Sequence, residues 1–394
     1  MTTNEGTTIH VAMPTDVTDP TTAASWLALL EDLVNTDSAP GDHAGIDAVY
    51  RLLTPAVERL GLGVKKVTCA GGPDVMVAHR PGTRADAGRV LMVGHVDTVF
   101  PRGTAEVRPF TVAGERAFGP GVADMKGGLV VILAALSRLD ADALAGLDIT
   151  VVFNGDEESG SPFSRPVIEE ASAGQDAALV FEAARPSGAI VTSRRGVARY
   201  RLEVTGRAAH SGSNPGAGAN ALETLAHKIL AVQELGRRMD TASVNVVLAD
   251  GGSRPNIIPA SASVHVDVRF DDDSADLAVE RGLGALAGAG PVEGTVTQVT
   301  RYQGRPAFGR PFTELADAYA DAGRELDVHI ETVAAGGVSD ANFTAAADVP
   351  TLDGLGPAGG GAHTDAEYIE IPSLMERASV CAALLARLGA RSRP

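Results

Sequence analysis

Residues 148–160 read DITVVFNGDEESG. The opening apolar run ends at a turn, the pattern of a strand buried on both faces. It leads directly into Asp156, Glu157 and Glu158, three adjacent carboxylates. Like charges at the end of a buried strand repel unless a cation or solvent compensates. The carboxyl ends of strands are also where open α/β sheets hold ligands. A solvated acidic turn is the plainer reading of this motif taken alone.

Working outward, GGLVVILAALSRL at 127–139 is a nearly all-apolar helix, which calls for burial. RVLMVGHVD at 89–97 and two shorter segments, 64–68 and 75–79, read as strands. Helical periods occupy 23–34, with Trp26, Leu29, Leu30 and Leu33 on one face, and 45–60. Alternating strands and helices predict an α/β layer with a largely parallel sheet. The middle of the chain differs. Strands at 199–204, 243–248, 261–270 and 294–300 and helices at 220–237 and 273–286 give the order β-α-β-β-α-β, the ferredoxin-like unit. In 261–270, SASVHVDVRF, strict alternation turns Val264, Val266, Val268 and Phe270 inward. Helices resume at 312–325 and 373–388. The expected organisation is a discontinuous α/β domain, residues 1–194 and 306–394, with 195–305 inserted.

The chain has 394 residues, room for two ordinary domains. Its 33 Lys and Arg against 50 Asp and Glu leave a net charge of −17. Such a surface repels phosphate backbones and anionic lipid, which argues against nucleic-acid and membrane partners. The two cysteines, Cys69 and Cys381, are far apart, which excludes a disulfide framework and a Cys-rich zinc module. Residues 1–20 are polar, without a basic segment followed by an apolar one, and no apolar run approaches the length of a membrane span. A soluble, cytoplasmic protein is expected.

Of nine histidines, six have bland settings. His10 and His43 lie in polar stretches, His79, His265 and His329 alternate with apolar residues on strands, and His227 is within a helix. His95, His210 and His363 stand in glycine-rich turns among polar partners. His95 and Asp97 share a strand-end face, where the carboxylate can accept the ring N–H and present the other nitrogen to a metal. Asp124, in GPGVADMKGG at 119–128, is either a helix cap or a ligand in a rigid loop. A dinucleotide-binding reading of these glycines fails, because this stretch contains no G-x-G-x-x-G and no strand leads directly into it. Glu182 ends the apolar run 177–181, and GGGAHTDAE at 359–367 puts His363 in what reads as a flexible turn. Two imidazoles and three carboxylates reaching loop ends from across the chain suit a pair of divalent cations. Three carboxylates and one hydroxide would neutralise that pair.

In order and spacing, GHVDTV, GPGVADMKGG, NGDEESGS, FEAARPSG, GRAAHSG, SRPNIIPASASVHVDVR and GAHTDAEY resemble the M20 family of di-zinc metallopeptidases. The nearest likeness is to its glutamate carboxypeptidase (carboxypeptidase G2-like) branch, over roughly residues 23–390. The resemblance implies a mixed-sheet α/β zinc-peptidase domain with an inserted ferredoxin-like lid through which two chains pair as a homodimer. It implies two Zn2+ per subunit, although imidazole and carboxylate donors also accept Co2+ and Mn2+. Asp124 would bridge the metals, with His95 and Glu182 on one and Glu158 and His363 on the other. Glu157 would be the general base acting on a metal-bridging hydroxide, and Asp97 would orient His95. His210 would hydrogen-bond the oxyanion, often from the partner subunit. Arg305, Asn256 and Arg269 would contact the substrate, Arg305 gripping a free carboxylate.

The implied activity is hydrolysis of the amide next to a free carboxylate, in short peptides or N-acyl amino acids. Deacylation, or amide formation by the same machinery, uses one site. A binding module without catalysis predicts loss of a ligand or of the base, yet every position is filled. The branch also carries a lysine shortly after the glutamate ligand. Here that stretch has none, and Arg185 and Arg194 are the nearest cations.

Overall fold

Side chains on the central strands divide between two cores by strict alternation. In the strand Gly88–His95, Val90 and Met92 join one apolar cluster while Leu91 and Val93 join another. Ala177 and Leu179 separate in the same way from Ala178 and Val180 on the strand Ala177–Val180. A slip of one residue would exchange every one of these, so burial on both faces fixes the register. The computed structural model describes residues 22–390; the readings of residues 1–20 and of His10 lie outside them.

The six-stranded sheet runs Gly63–Val67, Val75–Arg80, Leu147–Asn154, Gly88–His95, Ala177–Val180, Thr351–Leu352. The first two pairings in this order are antiparallel and the other three parallel. On one face lie the helices Ala23–Val34, His43–Arg59, Gly127–Leu136, Thr313–Glu325 and Ile371–Ala390; Arg165–Ser172 and Ala341–Ala346 cover the other. All of Gly127–Leu136 is buried, as its composition demands. Gly128 permits the close seating, because a Cβ there would lie 1.9 Å from the Phe181 carbonyl oxygen.

A five-stranded antiparallel sheet has a separate apolar core. Its elements, in chain order, are the strand Gly196–Thr205, helix Ala221–Arg237, strands Ala242–Gly251 and Ser261–Phe270, helix Asp273–Gly284, the short edge strand Gly288–Ala289 and strand Val296–Arg305. The sequence expectation stopped the last strand near 300; it extends to Arg305 through a bulge between Arg301 and Gln303. The chain crosses between the two sheets twice, and the crossings are tied together. Arg194 and Phe308 exchange backbone hydrogen bonds, and Asn342 Nδ2 donates to both Arg195 O and Pro306 O.

Besides the short pair Ala209–His210 with Ile257–Ile258, two small sheets escaped the sequence reading. Ile190–Arg194 pairs in parallel with Thr332–Ala335. Thr111–Ala113, Arg116–Phe118, Tyr368–Glu370 and Gly359–Gly360 form a four-stranded antiparallel sheet. The second corrects the flexible turn expected before His363. Gly359 and Gly360 pair with Ile369 and Tyr368, and a Cβ on Gly359 would lie 2.2 Å from the Tyr368 carbonyl oxygen. The glycines serve close packing, not mobility.

Gly128→Ala is expected to destabilise the protein by about 1–3 kcal/mol through overpacking, lowering the thermal unfolding midpoint by several degrees in calorimetry. An unchanged midpoint would show that the helix can lift off the Phe181 backbone without loss.

Candidate metal centre

Three of the five expected ligands, His95, Glu158 and Glu182, stand at the carboxyl ends of strands in the six-stranded sheet. His95 is the last residue of Gly88–His95, and Glu182 follows Ala177–Val180 by two residues. Glu157 and Glu158 open the turn Glu157–Ser159 just beyond Leu147–Asn154. Asp124 lies in the turn Val122–Lys126 before the buried helix, and His363 sits at φ 65° between two strands of the small sheet. Asp124 does not cap the helix: Lys126 occupies the N-cap position, and no side chain caps it.

Asp124 stands between both imidazoles. Its Oδ1 is 3.1 Å from His95 Nε2, and its Oδ2 is 3.1 Å from His363 Nε2. Glu182 Oε1 is 3.7 Å from His95 Nε2, and Glu158 Oε2 is 3.3 Å from His363 Nε2. Two overlapping groups, His95–Asp124–Glu158 and His95–Glu157–Glu182, bring donor atoms within 4.8 Å of one another. The other ring nitrogen of His95 lies 3.0 Å from the Asp97 carbonyl oxygen and 3.4 Å from its carboxylate. The Asp97 carboxylate accepts the Glu157 and Glu158 backbone N–H groups, so it orients the turn as well as the ring.

The electrostatics fit a cation cluster. Burial and the Asp124 charge push Glu182 up to about 8, against the pull of His95. Hydrogen bonds to Asp124 and Glu158 raise His363 to about 10. His95 also rises: burial opposes its charge, but Glu182, Asp124 and Asp97 outweigh that. Burial penalises the Asp124 carboxylate, yet the two imidazoles hold it well below the usual range. Extra protons thus settle on carboxylate and imidazole donors, where divalent cations would compensate the same charge. Glu158 Oε1 is buried without a hydrogen-bond partner, a donor atom fit for a metal.

Three supporting groups had no place in the sequence reading. Glu367 is buried and accepts N–H groups from Gly121, Ala123 and Asp124, which fastens the Asp124 loop. It lies four residues past His363 in the GAHTDAE motif, its only signal. Buried Asp340 accepts from Ser161 Oγ and Asn154 Nδ2 and lies 3.6 Å from Arg305. Arg199 and Gln303 enter the site only through strand register, which no local motif reveals.

A pocket of about 290 Å³ opens over the cluster. Asp124, Glu157, Glu158, Glu182 and His363 form one wall; Arg199, Arg269, Gln303 and Arg305 from the five-stranded sheet form the other. Arg305 is buried; Nη1 donates to Glu157 Oε1 at 2.6 Å, Nη2 donates to Glu157 O and Ser161 Oγ, and Nε has no partner. Arg194 is committed to a buried ion pair with Asp353 at 2.5 Å, and Arg185 is half-buried. His210 and Asn256 are not among the pocket's lining residues. They neighbour each other on an exposed arm, where Ala209–His210 pairs with Ile257–Ile258 and Ser211 N–H donates to Asn256 O. His210 is exposed, and its Nδ1 accepts from the Gly212 and Ser213 N–H groups, which leaves Nε2 to carry the N–H of the neutral ring.

Glu367→Gln is expected to weaken metal binding about 10–100-fold, measured by competition with a chromophoric chelator. Its amide cannot accept all three backbone N–H groups. Unchanged affinity would show that the Asp124 loop holds its shape unaided.

The model of the family described as Peptidase family M20/M25/M40 matches residues 91–387. Carboxypeptidase G2 of Pseudomonas sp. (strain RS-16) is 34% identical over 92% of this chain and 88% of its own length. Succinyl-diaminopimelate desuccinylase of Gluconacetobacter diazotrophicus is 29% identical, covering 92% of this chain and 96% of its own. The solved structure of aminopeptidase PepT from Bacillus cereus superposes with a TM-score of 0.76 at 20% identity, over 93% of this chain and 98% of that one. Among the described residues, no helix is long and apolar enough to cross a membrane. With its imidazole–carboxylate cluster and a match along most of its length, the chain belongs to the M20 peptidase family and is a metal-dependent hydrolase.

Proposed function

We propose that the protein hydrolyses the amide bond next to a free carboxylate, releasing the C-terminal residue of a short peptide or the amino acid of an N-acyl amino acid. The names of the carboxypeptidase and desuccinylase relatives support this class. One observation carries the mechanism: Glu157 lines the same pocket as the ligand cluster, yet a guanidinium anchors it where imidazoles hold its neighbours.

His95, Glu182, His363, Glu158 and Asp124 would hold the cations, Asp124 being the carboxylate placed between both imidazoles; zinc is expected, with cobalt and manganese compatible with the same donors. When bound, the cations polarise the scissile carbonyl and acidify a water. Glu157 would accept a proton from the attacking water and deliver it to the leaving nitrogen. Its Oε1 stays on Arg305, which leaves Oε2 for the proton. Arg305 offers its remaining N–H groups to the substrate carboxylate, with Arg269 beside it and Asn256 on the lid arm.

Residues 195–305 form the lid in this reading. His210 reaches the oxyanion from the partner subunit, its exposed ring offering Nε2–H because Nδ1 is taken by two backbone N–H groups. A homodimer paired along the edge strand Ala242–Gly251 suits this arrangement, for that strand exposes Val247 and Leu248 by 52% and 65%.

Glu157→Ala is expected to retain bound metal by mass spectrometry while turnover falls roughly 10²–10⁴-fold. Metal loss with an unchanged rate per bound metal would refute the proton-shuttle role. His210→Ala should lower kcat far more than it raises KM. Mixing inactive Glu157→Ala and His210→Ala subunits should regain activity; no recovery would place His210 within its own subunit's site. The class itself is tested on benzoyl, acetyl and dipeptidyl amino acids against matching carboxamides. Chelator-sensitive cleavage confined to the free-carboxylate forms is expected, and equal cleavage of the carboxamides would overturn the reading.

A further inference from the structure

Strand register places two rows of polar side chains on one face of the five-stranded sheet. Arg269, Val197 and Arg305 are lateral neighbours across three strands; Asp267, Arg199 and Gln303 form the adjoining row. The rows lie about 7 Å apart, two residues along a strand. Arg305 is buried against Glu157, whereas Arg199 and Arg269 line the open pocket.

Asp267 holds both of these guanidiniums. Arg269 Nε and Nη2 donate to its two carboxylate oxygens, at 2.9 and 3.3 Å, and Arg199 Nε donates to Oδ2 at 3.3 Å. Arg199 Nη1 donates to Gln303 Oε1 at 2.7 Å, and Gln303 Nε2 in turn reaches the Ser159 carbonyl of the metal-binding turn at 3.3 Å. Among the described residues, Arg199 Nη2 and Arg269 Nη1 have no hydrogen-bond partner. Two cations against one carboxylate leave one positive charge over on this wall. The tethers pre-orient the fork, so a bound anion orders little further.

Building on the amide-hydrolase reading, we propose that Arg199, with Arg269 and positioned by Asp267 and Gln303, reads a second carboxylate on the substrate. One row serves the carboxylate next to the scissile bond through Arg305, and the next serves an acidic group a few atoms farther out. The favoured substrates are dicarboxylates, with the second acid in the leaving amino acid or in the acyl group.

Two matched pairs distinguish these sources: N-benzoyl-glutamate against N-benzoyl-glutamine, and N-succinyl-leucine against N-succinamoyl-leucine. The zinc-loaded enzyme is expected to favour the acid in one pair by about tenfold or more in kcat/KM, the scale of a charge-assisted hydrogen bond. Arg199→Gln should erase that ratio by raising KM for the acid, and Arg199→Lys should restore part of it. A ratio near one in both pairs, a ratio that survives Arg199→Gln, or an equal loss on both members of a pair would overturn the proposal. Calorimetric binding of the same compounds to Glu157→Ala, with and without Arg199→Gln, separates the two ideas. A wild-type protein that cleaves none of them sinks the hydrolase reading, while the acid preference in binding and its loss still decide the subsite.

Discussion

Asp124, held between two imidazoles, is the interaction around which the rest of the centre is arranged. Its oxygens lie 3.1 Å from His95 Nε2 and 3.1 Å from His363 Nε2. Those histidines are 268 positions apart in sequence, 363 minus 95, and arrive on different sheets. A buried carboxylate so placed requires positive charge on both sides, and burial makes an unpaired one costly. Nearby features serve this demand. Glu367 fastens the loop beneath Asp124, glycines let the neighbouring strands and helix approach, and Asp97 clamps the turn that carries Glu157 and Glu158.

The pocket depends equally on how the two sheets meet. Asn342 bonds both chain crossings, and Arg194 and Phe308 pair across them. Arg305, the last residue of its strand, reaches from the second sheet to the Glu157 side chain. The buried Arg194–Asp353 pair stands beside the same junction, where removing one partner would strand a charge. This answers the missing lysine in part. Of the nearby cations, Arg194 is spent on structure, while the guanidiniums free to face a ligand come from the second sheet.

Much of this was legible in the chain. The apolar runs at 89–93 and 148–153 predicted central strands, and the all-apolar helix at 127–136 predicted burial, because a segment's hydrophobic period reflects how many of its faces are covered. Their ends pointed to the acidic loops for a local reason: charges crowded at a strand terminus call for compensation. The small sheet beneath His363 stayed hidden. Three consecutive glycines look like freedom, and only a partner strand turns them into a close contact.

The sequence by itself determined the long periodic elements, the order β-α-β-β-α-β of the insertion and the residue types able to hold cations, since periodicity and local charge are properties of neighbours along the chain. Tertiary structure alone decided what those residues face. Asp124 meets two distant histidines instead of capping the helix that follows it. Asp340, Glu367 and Arg199 joined the site because strands and loops far apart in sequence were brought into register. Hydrogen bonds between distant segments leave no periodic trace in a chain, so they become visible only where folding brings donor and acceptor together.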